Sequence, residues 1–418
     1  MSKVCVIGLG YIGLPTAAML ASAGHAVIGF DINPNVVAKI NKGLALFREP
    51  DLDMLLAAAI RTDRLTAQMT PVEADYFIIA VPTPFMEHKK PDMSYVDASI
   101  DSIAPYLRAG NTIILESTAP VGTTERIASR LSAARKDLIF PAYKDEEYHD
   151  SQVHVVHCPE RILPGQMVRE LVSNDRIIGG MTESCAAKAT ELYETFVKGT
   201  SFVTDCRTAE FVKLIENSYR DVNIAFANEV SLICDRLDID VWHAIELANR
   251  HPRVSILKPG PGVGGHCIAV DPWFIVDSAP EESRLIRAAR EINDHKTDYI
   301  YDRLVVAAKR FHEPIIACYG VTYKPDVDDL RESPALHIVE RLVRETKFKV
   351  LVCDPMVAQL PASLADQRRV ALVDAETARA ESDIVAFLVG HKKFRSLQPK
   401  KYLEKVVVDA IGLMSVVK

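Results

Sequence analysis

One segment constrains this chain more than any other: Gly8-Leu9-Gly10-Tyr11-Ile12-Gly13. It follows the apolar run Lys3–Ile7 and opens a helical pattern over Leu14–Ala23. The next apolar run, Ala26–Phe30, ends at Asp31. Strand, glycine turn, helix and second strand form a βαβ unit. In such a unit Gly8 permits the tight turn, Gly10 lets backbone approach a pyrophosphate, and Gly13 lets the helix pack on the strand. The helix N-terminus faces the phosphates. A carboxylate at Asp31 then meets the adenosine ribose, which favours NAD over NADP. The plain alternative is a tight turn beside a surface aspartate, but the ordered context favours the dinucleotide. Gly8, Gly10, Tyr11, Ile12, Gly13 and Asp31 are thus candidate cofactor ligands.

The alternation continues. Further apolar runs stand at Tyr76–Val81, Thr112–Leu115 and Val153–His157, with helical segments such as Val36–Lys42 between runs. This pattern predicts a parallel, doubly wound sheet. From about Thr208 to Asn249 the pattern turns helical, with no Gly or Pro. Its length and apolar character predict a spine between domains and a dimer surface. A Gly/Pro-rich loop and a helical stretch over Glu282–Lys309 follow. Strand runs then resume at Ile315–Tyr319, Lys349–Cys353, Ile384–Val389 and Val406–Asp409.

The two ends share a layout. Val27–Asp31 (VIGFD) parallels Val350–Asp354 (VLVCD), and EADYFIIAVPT parallels ESDIVAFLVGH. The expected architecture is α/β, with two Rossmann-like doubly wound domains joined by a long helical spine. The boundaries are 1–205 for an NAD-binding domain, 206–311 for the central helical, dimerisation and catalytic-loop region, and 312–418 for a second Rossmann-like domain. That last domain has no GxGxxG, so a second dinucleotide held in the same manner is not expected.

Composition excludes other classes. No apolar run reaches the roughly 18 residues of a membrane span. The opening MSKVCVIGLG lacks the features of a secretory leader, so a cytoplasmic location is expected. A net charge of −7 argues against non-specific nucleic-acid binding. The eight cysteines form no CxxC pair, and free thiols are expected.

Candidate chemistry clusters in four places. Val81-Pro82-Thr83-Pro84 and Glu116-Ser117-Thr118 end strands at the sheet's carboxyl edge, where Thr83 and Thr118 could hydrogen-bond ligands or simply cap turns. Lys213, Asn217 and Arg220 fall at i, i+4 and i+7 on one helical face. Such a face needs polar partners: a structural network, or an anionic or oxyanionic ligand. Cys267 lies in Gly262-Val263-Gly264-Gly265-His266-Cys267, whose glycines allow backbone to approach a ligand. A helix start there, with Lys213 nearby, would favour thiolate. His266 beside it lacks metal-ligand spacing, and no metal is expected.

Four segments carry a resemblance. GPGVGGHCIAVDP, the E-x-x-K-x-x-x-N pattern Glu210–Asn217, CPERILPG at 158–165 and YKPDVDDLRESP at 323–334 resemble the UDP-glucose/GDP-mannose dehydrogenase family, in that family's order and over nearly the whole chain. RDVNIAFANE, NRHPRV and PGPGVGGHCIAVDPWFIV most resemble the members that act on UDP-N-acetyl-D-mannosamine.

The resemblance implies a four-electron oxidation at C6 of a UDP-sugar, with two NAD in turn and Cys267 as the covalent nucleophile. A thiol suits this, because the aldehyde is held as a thiohemiacetal and then as a thioester. Lys213 and Asn217 would stabilise alkoxide and oxyanions, with Lys213 also a candidate proton acceptor. Glu160 and Asp271, with Thr118 positioning a water, could handle protons in hydrolysis; the residues leave open which carboxylate is the base. The resemblance assigns substrate contacts to Arg161, Ile162, Lys213, Asn217, Arg220, Gly264, Tyr323 and Lys324. It assigns His251 and Arg253 to a site reached from a partner subunit, in a homodimer or higher homo-oligomer, and Arg331 to NAD. No lysine closely follows Asp31 in Asn33–Val37, where some relatives place one. Other readings are a UDP-N-acetylglucosamine or UDP-glucose 6-dehydrogenase. Remoter ones are a two-electron β-hydroxyacid dehydrogenase, which needs no Cys267, and a nucleotide-sugar binding protein without chemistry.

Overall fold

A computed structural model describes residues 1–47, 49–86, 89–144 and 152–414. The chain divides into two units, Met1–Glu216 and Asn217–Lys418, and the division falls inside one continuous helix, Cys206–Leu237.

The first unit is built on eight strands: β1 (Lys3–Ile7), β2 (Ala26–Phe30), β3 (Leu65–Gln68), β4 (Tyr76–Ile79), β5 (Asn111–Leu115), β6 (Val153–His157), β7 (Arg176–Gly180) and β8 (Ser201–Asp205). Their order is β3-β2-β1-β4-β5-β6-β7-β8. β4, β5 and β6 are buried along their whole length, which is why they read as unbroken apolar runs. The helix Gly13–Ser22 buries nine of its ten residues and shows no amphipathic face for the same reason.

Register fixes the working edge. Ile7 pairs with Phe30 and Ile79, Ile79 with Leu115, and Leu115 with His157. The next residues, Asp31, Gly8, Ala80, Glu116 and Cys158, therefore leave the sheet side by side at its carboxyl edge. β1 and β4 run parallel, but the order in which strands are added reverses between them, and ligands bind in the crevice such a switch opens.

Two features depart from the sequence reading. β7 runs antiparallel to β6, and β8 follows β7 in parallel, so the sheet is mixed. The helical pattern over 208–249 is two helices, Cys206–Leu237 and Val241–Ala248. Asp238 breaks it with φ of +55°, and the Asp240 carboxylate accepts from the backbone N–H of Trp242 and His243, capping the second helix.

The second unit carries five parallel strands: β9 (Ile315–Tyr319), β10 (Lys349–Cys353), β11 (Val370–Leu372), β12 (Ile384–Phe387) and β13 (Val406–Asp409). Their order, β11-β10-β9-β12-β13, again reverses beside the first strand, between β9 and β12. The helix Arg284–Ala308 packs on the helix Pro334–Glu345. A further helix, Asp271–Ser278, begins where the Gly/Pro-rich loop ends, after Cys267. Two Rossmann-like sheets with a long helix between them in the chain are the architecture expected.

Candidate active site

In the first unit the glycine turn is held by close packing. A Cβ at Gly13 would stand 1.9 Å from the carbonyl oxygen of Gly8, so only glycine lets this helix sit on this strand. A Cβ at Gly10 would meet nothing within 4 Å, and Gly10 is exposed: the space beside the helix start is open to a phosphate. Asp31 accepts from Leu9 N at 3.0 Å and Asn33 N at 2.9 Å and remains partly exposed. Tyr11 stacks on Phe47 with ring centroids 4.1 Å apart, walling the turn. Ile12 is half-buried and caps the helix start without a side-chain bond. These residues fit a dinucleotide.

Thr83 and Thr118 are half-buried in the loops after β4 and β5. Ser117, unremarked in the sequence reading, ties those loops together: its Oγ accepts from Val81 N at 2.9 Å and donates to Val81 O at 2.7 Å. Beneath them Glu116 is fully buried. It accepts from Tyr193 OH at 2.8 Å and Thr16 Oγ1 at 3.2 Å and pairs with the buried Arg176 at 3.4 Å. Burial pushes its carboxyl up, against Arg176, Tyr193 and Thr16.

Glu160 and Lys213 meet: Nζ stands 3.5 Å from Oε1, and both side chains are buried. The other carboxylate oxygen accepts from Ile162 N at 2.8 Å, which aims the Ile162 backbone. His157 lies below, wholly buried, with neither ring nitrogen hydrogen-bonded. Burial, with the Lys213 charge nearby, pushes it down to about 3, so it stays neutral. Arg161 pairs with Glu216 at 2.6 Å and donates to Asp175 O at 3.2 Å.

Two further glutamates have roles that sequence reasoning did not assign. Glu49 accepts from Gly165 N and Met167 N, each at 2.7 Å, and clamps the CPERILPG segment. Glu210 accepts from Gly122 N and Thr124 N. Their signal was a carboxylate amid buried apolar residues, which must find donors.

In the second unit, Cys267 stands out among the thiols. The other seven cysteines are buried, and Cys267 alone is partly exposed. It precedes the helix Asp271–Ser278 instead of opening it; its carbonyl accepts from Val270 N at 2.9 Å and Asp271 N at 2.8 Å. Asp271, nearly wholly buried, accepts from Asn217 Nδ2 at 2.5 Å. A hydrogen-bond chain holds the preceding loop. Gly260 N donates to Asn228 Oδ1 at 2.9 Å, Asn228 Nδ2 to Asn293 Oδ1 at 2.8 Å, and Asn293 Nδ2 to Asp221 Oδ1 at 2.8 Å. Asp221 also pairs with the buried Arg290 at 2.7 Å.

The glycines of this loop also pack against the protein itself. Their missing side chains admit the protein's own segments: a Cβ at Gly264 would meet Glu332 O at 2.3 Å, and one at Gly265 the Tyr323 ring at 2.9 Å. They dock the cysteine loop on the 323–334 segment. A cleft of about 150 Å³ opens beyond the carboxyl ends of β9 and β12, lined by Gly262, Thr322, Tyr323, Lys324, Leu388 and Gly390 among others. Arg331 is exposed and bidentate on Asp329, at 3.0 and 2.6 Å. Arg220, His251 and Arg253 are exposed. Within the units, therefore, Lys213, Glu160, Ile162 and Arg161 gather in one, and Asn217 with Asp271, and Gly264 with Glu332 and Pro334, in the other.

Residues 2–197 match the NAD binding domain model of the UDP-glucose/GDP-mannose dehydrogenase family, 207–295 its central domain and 317–415 its UDP binding domain. An NDP-N-acetyl-D-galactosaminuronic acid dehydrogenase of Ralstonia nicotianae is 55% identical, over 99% of this chain and 96% of that one. A UDP-N-acetyl-D-mannosamine dehydrogenase of Campylobacter jejuni is 54% identical, over 96% of this chain and 98% of its own. Among solved structures, a UDP-D-ManNAc dehydrogenase of Pyrococcus horikoshii superposes with a TM-score of 0.86 at 37% identity, covering 98% of this chain and 96% of that one.

Proposed function

The chain belongs to the UDP-glucose/GDP-mannose dehydrogenase family, and from that premise we propose that it oxidises C6 of UDP-N-acetyl-D-mannosamine to the carboxylate, UDP-N-acetyl-D-mannosaminuronate, with Cys267 as the covalent nucleophile. It is an NAD-dependent UDP-sugar dehydrogenase, and it binds a UDP-sugar. The observation that carries the mechanism is the exposure of Cys267, alone among eight cysteines. The sugar rests on relatives named for it at 54% and 51% identity. We read the product as a precursor for bacterial surface polysaccharide.

NAD, when bound, supplies the hydride acceptor for each of two oxidations at C6. The chain's residues do the rest. Lys213 and Asn217 stabilise the O6 alkoxide, and Lys213 is the candidate to take its proton. Cys267 sulfur bonds to C6 at the aldehyde level, so the reactive carbon is never released. After the second oxidation C6 is a thioester. Water, positioned by Thr118, adds to C6 while a proton passes to Glu160 or Asp271; the C–S bond breaks, and thiol and carboxylate result. Asp271 is held by Asn217 and Glu160 by Ile162 N, which supports both as candidates for this role.

Gly8, Gly10, Tyr11, Ile12, Gly13, Asp31, Thr83, Thr118 and Arg331 are the proposed NAD contacts. Arg161, Ile162, Arg220, Gly264, Tyr323 and Lys324 are proposed for the UDP-sugar, with His251 and Arg253 reaching a partner's site. The functional division at 205/206 and 311/312 belongs to the same proposal. A homodimer is supported by a row on the Cys206–Leu237 helix: Phe211, Ile215, Tyr219, Phe226, Ile233 and Leu237 are all exposed. At 100° per residue they share an arc of about 80°, a stripe that a second copy would cover. A monomer by light scattering at micromolar concentration would overturn that. Among the described residues no helix is long and apolar enough to cross a membrane. None of the eight cysteines is in a disulfide, which supports the cytoplasm as its location.

A second substrate reading has its own support, since the Ralstonia relative is named for a galactosaminuronic product. The test is NADH yield with UDP-N-acetyl-D-mannosamine, UDP-N-acetylgalactosamine, UDP-N-acetylglucosamine and UDP-glucose, beside Cys267→Ser. Two NADH per UDP-N-acetyl-D-mannosamine, and no acid from Cys267→Ser, are expected. Two NADH from the galacto sugar alone would transfer the assignment. Full turnover by Cys267→Ser would sink the covalent mechanism.

A further inference from the structure

The turn that carries Thr118 is fastened at both ends. At its start, Glu116 is locked among Thr16, Tyr193 and Arg176, and Ser117 is bonded to Val81. At its end stands Gly122, the cap of the helix Thr123–Ala134, with φ of +94° and no side chain of its own to satisfy the helix's first amides. The missing cap comes from another helix. Glu210 Oε2 accepts from Gly122 N at 2.6 Å, and Oε1 accepts from Thr124 N at 2.7 Å and Thr124 Oγ1 at 2.6 Å. Glu210 is wholly buried. Arg207, one turn earlier on the same helix, is paired with Glu125 instead. A carboxylate is the group a helix N-terminus favours. It sits three residues before Lys213, hence on the same helical face.

We infer that Glu210 is a positioning residue for the reaction: it fastens the 117–122 turn, which carries Thr118, to the helix that carries Lys213. Three bonds from one rigid carboxylate set the spacing between these two groups, neither of which Glu210 need touch. The inference rests on the catalytic roles proposed for Thr118 and Lys213. A cap with a purely structural role would change stability and leave turnover alone.

The experiment uses the full-length enzyme with its best UDP-sugar, comparing Glu210→Gln, Thr124→Val and Lys213→Ala. Glu210→Gln keeps the shape but turns one acceptor into a donor facing Gly122 N. Its kcat should fall about tenfold or more, the size of a lost charge-assisted hydrogen bond, while sugar KM and NADH Kd stay within about twofold. Hydrogen exchange at the Gly122 and Thr124 amides should quicken together with that loss. Thr124→Val removes one bond and should lower kcat by about threefold in the same pattern, which keeps the test alive if Glu210→Gln folds poorly. Wild-type kcat in either variant, with the amides exchanging faster, would overturn the positioning role. Lys213→Ala separates the two layers. If it keeps full turnover, the functional reading falls; if it loses turnover while Glu210→Gln does not, only the clamp falls.

Discussion

The two sheets are variations on one frame, and their differences show how one frame takes two ligands. Gly8 ends β1 and Gly320 ends β9, each with φ of +87°. Gly8 N donates to Phe30 O and Gly320 N to Cys353 O, both at 2.8 Å. The aspartate after the next strand turns back in both: Asp31 accepts from Leu9 N at 3.0 Å, and Asp354 from Val321 N at 2.7 Å. The strand starts match too, with Lys3 N on Asp75 and Ile315 N on Asp383. The frames then part. In the first sheet a helix begins at Gly13, and Gly10 leaves open space before it. In the second the helix waits until Pro334, and a side chain, Thr322, follows where Gly10 would stand. Asp31 is left partly exposed, whereas Asp354 is buried and also bonded to His391 at 3.1 Å. The first edge is cut to meet phosphates with backbone and ribose with a carboxylate. The second puts a side chain in the first position and buries the aspartate in its own turn, which leaves Tyr323 and Lys324 as the side chains proposed to meet its ligand.

The strongest way to break that comparison is to damage each turn alone. Gly13→Ala places a Cβ 1.9 Å from Gly8 O, and Gly320→Ala one 2.4 Å from Val389 Cβ at a positive φ. Each clash should cost more than about 100-fold in affinity for its own ligand. Titration of each variant with NADH and with UDP reads both sites. Gly13→Ala should lose NADH and keep UDP, and Gly320→Ala the reverse. Loss of both ligands from both variants would mean that the two turns do not serve separate nucleotides.

The aspartates sharpen the contrast at smaller cost. Asp31→Asn removes the charged acceptor offered to the ribose and should weaken NADH binding by about 10- to 100-fold, narrowing the preference over NADPH. Asp354→Asn should leave that preference untouched and lower stability by about 2 kcal/mol, because buried donors lose a carboxylate. If Asp354→Asn alters cofactor preference while Asp31→Asn does not, the assignment of the two edges is wrong.

The sequence made the frame legible because buried strands and glycine turns are local features. β1, β2, β6, β9, β10 and β13 stand where the apolar runs ended, and the repeat of VIGFD in VLVCD proved structural. β8 was not legible because it is an exposed edge strand without a clear apolar run. The reversal at β7 depends on pairing between distant segments, which periodicity does not carry. Cys267 could be picked out by its glycine loop, but not the reason for the glycines, since Glu332 and Tyr323 approach them from sixty residues away. The clamps of Glu49 and Glu210 were invisible for the same cause: their donors lie about ninety or more positions off in the chain.

The smallest effect concerns the buried histidines and Glu210. His391 in the second unit is bonded through both ring nitrogens, whereas in the first neither ring nitrogen of His157 has a partner among the described residues. His157 is pushed from its ordinary 6.5 down to about 3 by burial and Lys213, so between those values only the unfolded chain holds the proton. Stability therefore rises with pH across that window and is lost on acidification. Glu210 runs the other way. Burial raises it from 4.5 to about 7 against the bonds from Thr124 and Gly122, so in that interval only the folded chain holds the proton. Stability then falls as pH rises. Between 4.5 and 6.5 the two slopes, about 1.4 kcal/mol per pH unit each, oppose one another. Glu210→Gln should thus gain on wild type as pH rises, and His157→Gln should lose ground by a similar amount. Unfolding midpoints at pH 5.0, 5.5, 6.0 and 6.5, taken as differences from wild type, measure both. A Glu210→Gln difference that stays flat across this range would mean that the clamp carboxylate is already fully ionised, and that the first unit's edge is no more strained electrostatically than the second's.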